Sequence, residues 1–181
     1  MAGHNKWTQI KRQKGVADAK KSKLFSMLAR QIVLEAKKSN GDRQAAGLRT
    51  IIEKARAANM PNDNIDRAIK NATDSSAADY EEVIYEAYGP GGVAILIIGL
   101  TASKNRTHQE LKHLLGAYGS ALAAPGAALW AFQKIGHDWQ ATNSLDLSLV
   151  DQSKLTELVL ALESNDDIRV VFTNSRTTPK L

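Results

Sequence analysis

A chain of 181 residues with 43% hydrophobic content can bury one good core and a small satellite, so one large or two small domains fit. It has no cysteine, which excludes disulfides, thiolate metal ligands and cysteine nucleophiles and gives no reason to expect an oxidising compartment. The formal net charge of +5 conceals a split, because residues 1–72 carry 16 Lys and Arg against 6 Asp and Glu, whereas residues 73–181 carry 8 against 13.

A basic front and an acidic body point to a polyanion-binding end, with nucleic acid as the first partner to consider. The basic N-terminus is not followed by an apolar run of signal length, and no stretch approaches a membrane span. The expectation is a cytoplasmic protein with no membrane partner.

In chain order, Gly3 to Gly15 holds Trp7 and four cations between glycines, which suits an arm that orders on a polyanion. From about Asp18 to Lys38 the apolar residues Leu24, Phe25, Leu28, Ile32 and Ala36 recur at helical spacing, and Asn40-Gly41-Asp42 supplies a stop. Leu48, Ile51, Ile52 and Ala55 stripe a second helix that ends near Asn59, since Pro61 disfavours helix before it. Pro61 opens a third, with Asp63 in its first turn and Ile65, Ala68, Ile69 and Ala72 facing inward. Residues 73–79 are small and polar and read as a linker.

Beyond the linker, Val83, Tyr85 and Ala87 alternate with Glu82, Ile84 and Glu86, and Gly89-Pro90-Gly91-Gly92 turns the chain into a buried strand, Val93 to Leu100. A helix follows from Asn105 to Tyr118, capped by Gly119. Strands are predicted at Ala128 to Ile135 and Trp139 to Leu147, then a helix through Leu155, Leu158, Val159 and Leu162, and a strand at Ile168 to Thr173. The predicted fold is α+β: a three-helix bundle followed by a ferredoxin-like α/β sandwich with an extra leading strand. Its two helices would cover one face of an antiparallel sheet and leave the other face open to a partner. The predicted domains are 1–72, basic and helical, and 80–181, the sandwich.

Particular residues then carry a resemblance. Ala2-Gly3-His4-Asn5-Lys6-Trp7, Lys54-Ala55-Arg56-Ala57-Ala58-Asn59-Met60-Pro61, Tyr88-Gly89-Pro90-Gly91-Gly92-Val93-Ala94 and Asn105-Arg106-Thr107 are similar, in that order, to segments of the YebC/PmpR family. Ala161-Leu162-Glu163, Asp166-Asp167 and Val171 to Asn174 resemble that family's last helix and strand. The resemblance implies a non-enzymatic, cytoplasmic regulator of gene expression. Some members are described as DNA-binding transcriptional regulators, and others, among them a mitochondrial translational activator, act at the ribosome. Members usually carry a third domain inserted in the second, after the strand ending here at Phe132-Gln133-Lys134. In this chain Ile135-Gly136-His137 leads almost directly into the closing elements, so a shortened member is expected.

The candidate nucleic-acid-binding residues are Lys6, Lys11, Arg12, Lys14, Lys20, Lys21, Lys23, Arg30 and Lys37. Lys23, Arg30 and Lys37, seven apart, align in a narrow arc that would track a phosphate backbone. Met27 and Leu34 lie beside that row and would face solvent unless covered. Arg49, Arg56 and Arg106 are secondary candidates: the first two either contact phosphate or pair locally with Glu53, which lies within a turn of both, and Arg106 stands against a helix dipole. Trp7 either stacks on a base or, preferably, docks beside Ile10, and His4 reads as a polar arm residue. The turn at Gly89 to Gly92 either cradles an anion or, preferably, only reverses the chain.

No P-loop, nucleophile elbow, dinucleotide fingerprint or zincin pattern is present, and Glu81-Glu82 and Asp166-Asp167 read as solvated strand starts. The sequence therefore predicts no catalytic site, metal or cofactor. Duplex DNA and ribosomal RNA remain alternative targets, and the acidic sandwich is a candidate surface for a protein partner.

Overall fold

The computed structural model describes residues 3–74, 78–136 and 138–176, with side chains from Ala17 onward. The chain divides into two compact units, Met1–Asp79 and Tyr80–Leu181.

The first unit holds helices α1 (Gly3–Lys38), α2 (Ala46–Ala57) and α3 (Asn62–Ala72). The segment read as an arm is thus continuous with α1. Its helix ends at Asn40-Gly41, both in the left-handed region, where the Gly41 N–H donates to the Ala36 carbonyl at 2.8 Å. Asn59 repeats the device after α2, and the Met60 N–H donates to the Ala55 carbonyl at 2.9 Å. The core comprises Leu28, Ile32 and Ala36 of α1, Leu48, Ile52 and Ala55 of α2, and Ile65, Ala68, Ile69 and Ala72 of α3. Leu24, expected in the buried stripe, is 48% exposed, and Met27 and Val33 are buried instead. The start of α2 has no side-chain cap, but a Cβ on Gly47 would lie 2.1 Å from Glu35 Oε2. Glycine there lets the Glu35 carboxylate face the positive end of α2.

The second unit contains β1 (Glu81–Tyr88), β2 (Ala94–Thr101), α4 (Lys104–Ala117), β3 (Ala121–Leu122), β4 (Phe132–Ile135), β5 (Asp138–Ala141), α5 (Leu149–Ser164) and β6 (Ile168–Thr173). An antiparallel sheet runs β3-β1-β2-β6, with Glu81 opposite Thr101 and Tyr88 opposite Ala94. On one face Ala87, Ile95 and Ile97 pack with Leu111 and Leu115 of α4 and Leu155, Leu158 and Leu162 of α5. Apolar burial of this extent is the main stabilising term in such a layer.

The α+β class and the pair of helices on one sheet face are as predicted, while the strand placement differs. The leading strand β1 takes the inner position beside β2, and β4 and β5 pair only with each other, as a separate ribbon. Residues 129–131 form a short 3-10 turn before β4, and β5 stops at Ala141 rather than Leu147. The second face is not open where Ala94 and Leu96 pack with Ala128, Ala131 and Phe132, flanked by Trp139 and Phe172. These apolar side chains leave water by folding the ribbon back on the sheet.

Candidate nucleic-acid interface

Helix α1 carries the primary candidates. Lys20 and Lys21 are exposed, and Lys21 Nζ lies 5.5 Å from the centroid of the Phe25 ring. Lys6, Lys11, Arg12 and Lys14, with His4 and Trp7, lie outside the residues whose side chains are described. Lys23, Arg30 and Lys37 do share an arc, but all three are half-buried and each has an interaction partner. Lys37 Nζ reaches Asp79 Oδ1 at 3.2 Å. The arc of about 120° left between buried Val33 and buried Met27 explains this, because long stems lie along apolar flanks and keep only the charge in water.

Arg49 and Arg56 are exposed on α2. Of the two alternatives for them, the local pairing with Glu53 is not formed: among the described residues, neither arginine has an ion pair or side-chain hydrogen bond.

Arg106 occupies a different setting, at the start of α4. Its guanidinium donates to Asp167 Oδ2 at 2.7 Å, and that oxygen also accepts from the hydroxyls of Thr107 at 2.7 Å and Thr101 at 3.1 Å. Asp167 is only 3% exposed, so its reading as a solvated strand start is corrected. Burial pushes its carboxyl up, but the Arg106 guanidinium and the two threonine hydroxyls outweigh burial and hold it below the usual carboxylate range. The same hydrogen bond raises the Arg106 pKa. The helix N-cap is Ser103, without a side-chain cap bond, and Thr107 serves the Asp167 cluster instead. Tyr85, whose hydroxyl donates to the Lys104 carbonyl at 3.2 Å, is raised by burial and then by Asp167 and Glu81.

Glu86, expected on the outward side of β1, is 7% exposed. Its carboxylate accepts from the backbone N–H groups of Gly126 at 2.5 Å, Ala128 at 2.6 Å and Leu129 at 2.8 Å. The indole N–H of Trp130 donates to the Tyr88 hydroxyl at 3.2 Å, which donates to the Ala127 carbonyl. The turn at Gly89 to Gly92 spends its Gly89 and Gly92 N–H groups on its own hydrogen bonds, and Asp151 sits close to Gly91, which disfavours an anion there. Among the described residues, no cluster of three or more His, Asp or Glu could hold a metal, and no helix is long and apolar enough to cross a membrane.

Comparison with known proteins places this arrangement. The model of the TACO1/YebC N-terminal domain matches residues 5–75, and that of the TACO1/YebC second and third domain matches residues 80–137. A relative from Finegoldia magna is 41% identical over 175 residues, which cover 96% of this chain and 73% of the relative. The chain belongs to the TACO1/YebC family. Family relatives from Thermosipho africanus and Thermotoga maritima are 50% and 51% identical over 138 residues, 75% of this chain. The chain spans about half the length of these two. All three relatives are named as probable transcriptional regulatory proteins. The solved structure of a conserved hypothetical protein from Aquifex aeolicus is similar with a TM-score of 0.82 and 26% identity, covering 91% of this chain and 93% of that one. At the point where the family resemblance implies an inserted domain, β4 and β5 of this TACO1/YebC chain are joined directly, with Ile135 opposite Asp138.

Proposed function

We propose that this chain is a non-enzymatic, cytoplasmic, nucleic-acid-binding regulator of gene expression that neutralises phosphates with its basic N-terminal unit. The observation that carries the reading is the charge division, 16 cationic against 6 acidic residues in 1–72, which coincides with a separate helical bundle. The names of the relatives support transcription, with duplex DNA as the target. The primary contacts in this reading are Lys6, Lys11, Arg12, Lys14, Lys20, Lys21, Lys23, Arg30 and Lys37. They act as point charges on the phosphates rather than on base edges, so sequence preference is weak.

The test is affinity for duplex DNA against salt, for the wild type and for Lys11→Glu, Arg12→Glu, Lys14→Glu, Lys20→Glu and Lys21→Glu. Neutralising about five phosphates gives a log–log slope of roughly −4 to −5, and each lost contact flattens it by about one unit. Folded variants with wild-type affinity and slope would refute the surface. Ultraviolet crosslinking in cells then separates targets: recovered promoter DNA supports transcription, and recovered ribosomal RNA moves the function to translation.

A further inference from the structure

We propose that the outward faces of α2 and α3, carrying Arg49 and Arg56 on α2 and Arg67 and Lys70 on α3, form a second phosphate-contacting surface for nucleic acid. This rests on the function proposed above and extends it beyond the α1 cations.

Helix α2 gives Leu48, Ile52 and Ala55 to the core, and the rest of its circumference from Arg49 on is Arg49, Thr50, Glu53, Lys54, Arg56 and Ala57, all exposed, with only Ile51 half-buried. Helix α3 likewise buries Ile65, Ala68, Ile69 and Ala72, and Arg67 and Lys70 lie one turn apart on its exposed side. Among the described residues, none of Arg49, Arg56, Arg67 and Lys70 has an ion pair or side-chain hydrogen bond. That sets them apart from Lys37, Lys38, Arg43 and Arg106, each held by a carboxylate.

The difference matters energetically. A paired cation must give up its carboxylate before it meets a phosphate, whereas an unpaired one releases condensed counterions without that loss. Opposing acids are few. Asp66 is already taken by Arg43 at 2.7 Å, and Asp63 lies in the first turn of α3, where it complements the helix dipole. Glu53 alone stands among the α2 cations. Arg49 and Arg56 are seven residues apart, about 10.5 Å along the axis of α2, which is close to three base-pair rises of about 3.4 Å along the duplex axis.

The experiment measures binding of the full chain to a duplex of about 30 base pairs by fluorescence anisotropy between about 50 and 200 mM salt. The variants are Arg49→Glu/Arg56→Glu, Arg67→Glu/Lys70→Glu and Glu53→Gln, with Lys112→Glu/Lys154→Glu in the second unit as the control for net charge. Each double variant on α2 or α3 should flatten the slope by about 1.8, from 0.9 per phosphate, and lower affinity about tenfold or more. Glu53→Gln should bind more tightly, and the control should keep the wild-type slope. Where charge reversal reduces helix content by circular dichroism, Arg49→Gln/Arg56→Gln replaces it with the same expected flattening. Wild-type slopes in the α2 and α3 variants, while Lys20→Glu/Lys21→Glu flattens, would overturn the second surface and leave the proposed function standing. Absence of binding by the wild type would overturn both.

Discussion

Asp167 shows how one buried carboxylate fixes the corner where α4 meets the start of β6. Three side-chain donors converge on a single oxygen, and its own N–H binds the Asn165 side chain at 2.9 Å. Asp167→Asn should cost about 2 kcal/mol, the scale of a hydrogen bond to a charged group, measured by denaturant unfolding at pH 7. The pH dependence follows from the depressed folded pKa. The contribution is complete above the ordinary carboxylate value of 3.8 and is lost as pH falls through the folded value, because the unfolded chain takes up the proton first. The gap between wild type and Asp167→Asn should therefore be flat from pH 7 to about 5 and shrink below about 4. A gap that shrinks above pH 5 would contradict the assignment. This cluster was not legible in the sequence, where Asp166-Asp167 looks like any hydrophilic turn. Its burial depends on Thr101 and Arg106, more than 60 residues away.

Secondary elements were legible in proportion to the length of their periodic pattern. Helices α2 to α5, the part of α1 from about Asp18 to Lys38 and the apolar strand β2 follow from spacing alone, whereas the segment before Asp18 lacks an apolar stripe and was read as an arm, and β4 and β5 are four residues each, too short for alternation to state which sheet they join. The role of Glu86 was hidden for another reason, since alternation along the eight residues of β1 separates two faces but does not say that both are covered. Glu86 holds the loop before β4 through three backbone donors, so Glu86→Gln, which keeps one acceptor oxygen, should destabilise the second unit by about 2 kcal/mol. The Trp130 indole N–H resonance should shift as its loop loosens. An unchanged resonance with stability within about 0.5 kcal/mol would show that the loop is held otherwise. In α1, helical spacing found the cationic row but not its half-burial, because the covered arc includes Met27 and Val33 as well as the predicted stripe.

The two units have separate cores, and their boundary at residues 79 and 80 falls at the end of the small polar segment 73–79. Limited proteolysis within 73–79 should release two pieces that each unfold cooperatively, with polyanion binding kept by the basic one. Binding by the acidic piece alone would reverse the charge argument. The charge split was fully visible in the sequence, while the particular cations left unpaired on α2 and α3 were not, since pairing depends on tertiary neighbours. The tip of the β4–β5 ribbon has a consequence of its own. Ile135 and Asp138 are register partners, and such Cα pairs lie about 4.5–5.5 Å apart, close to the spacing at which many domains present their two ends. The ribbon is anchored through Phe132 and Ala141 at the other end and through Trp139 one register pair from the tip. Chain added at the tip would enter and leave through one small opening without disturbing the packed layers. Relatives of which this chain matches only about half the length can thus share this scaffold, with the ribbon serving as a socket into which evolution plugs or unplugs cargo.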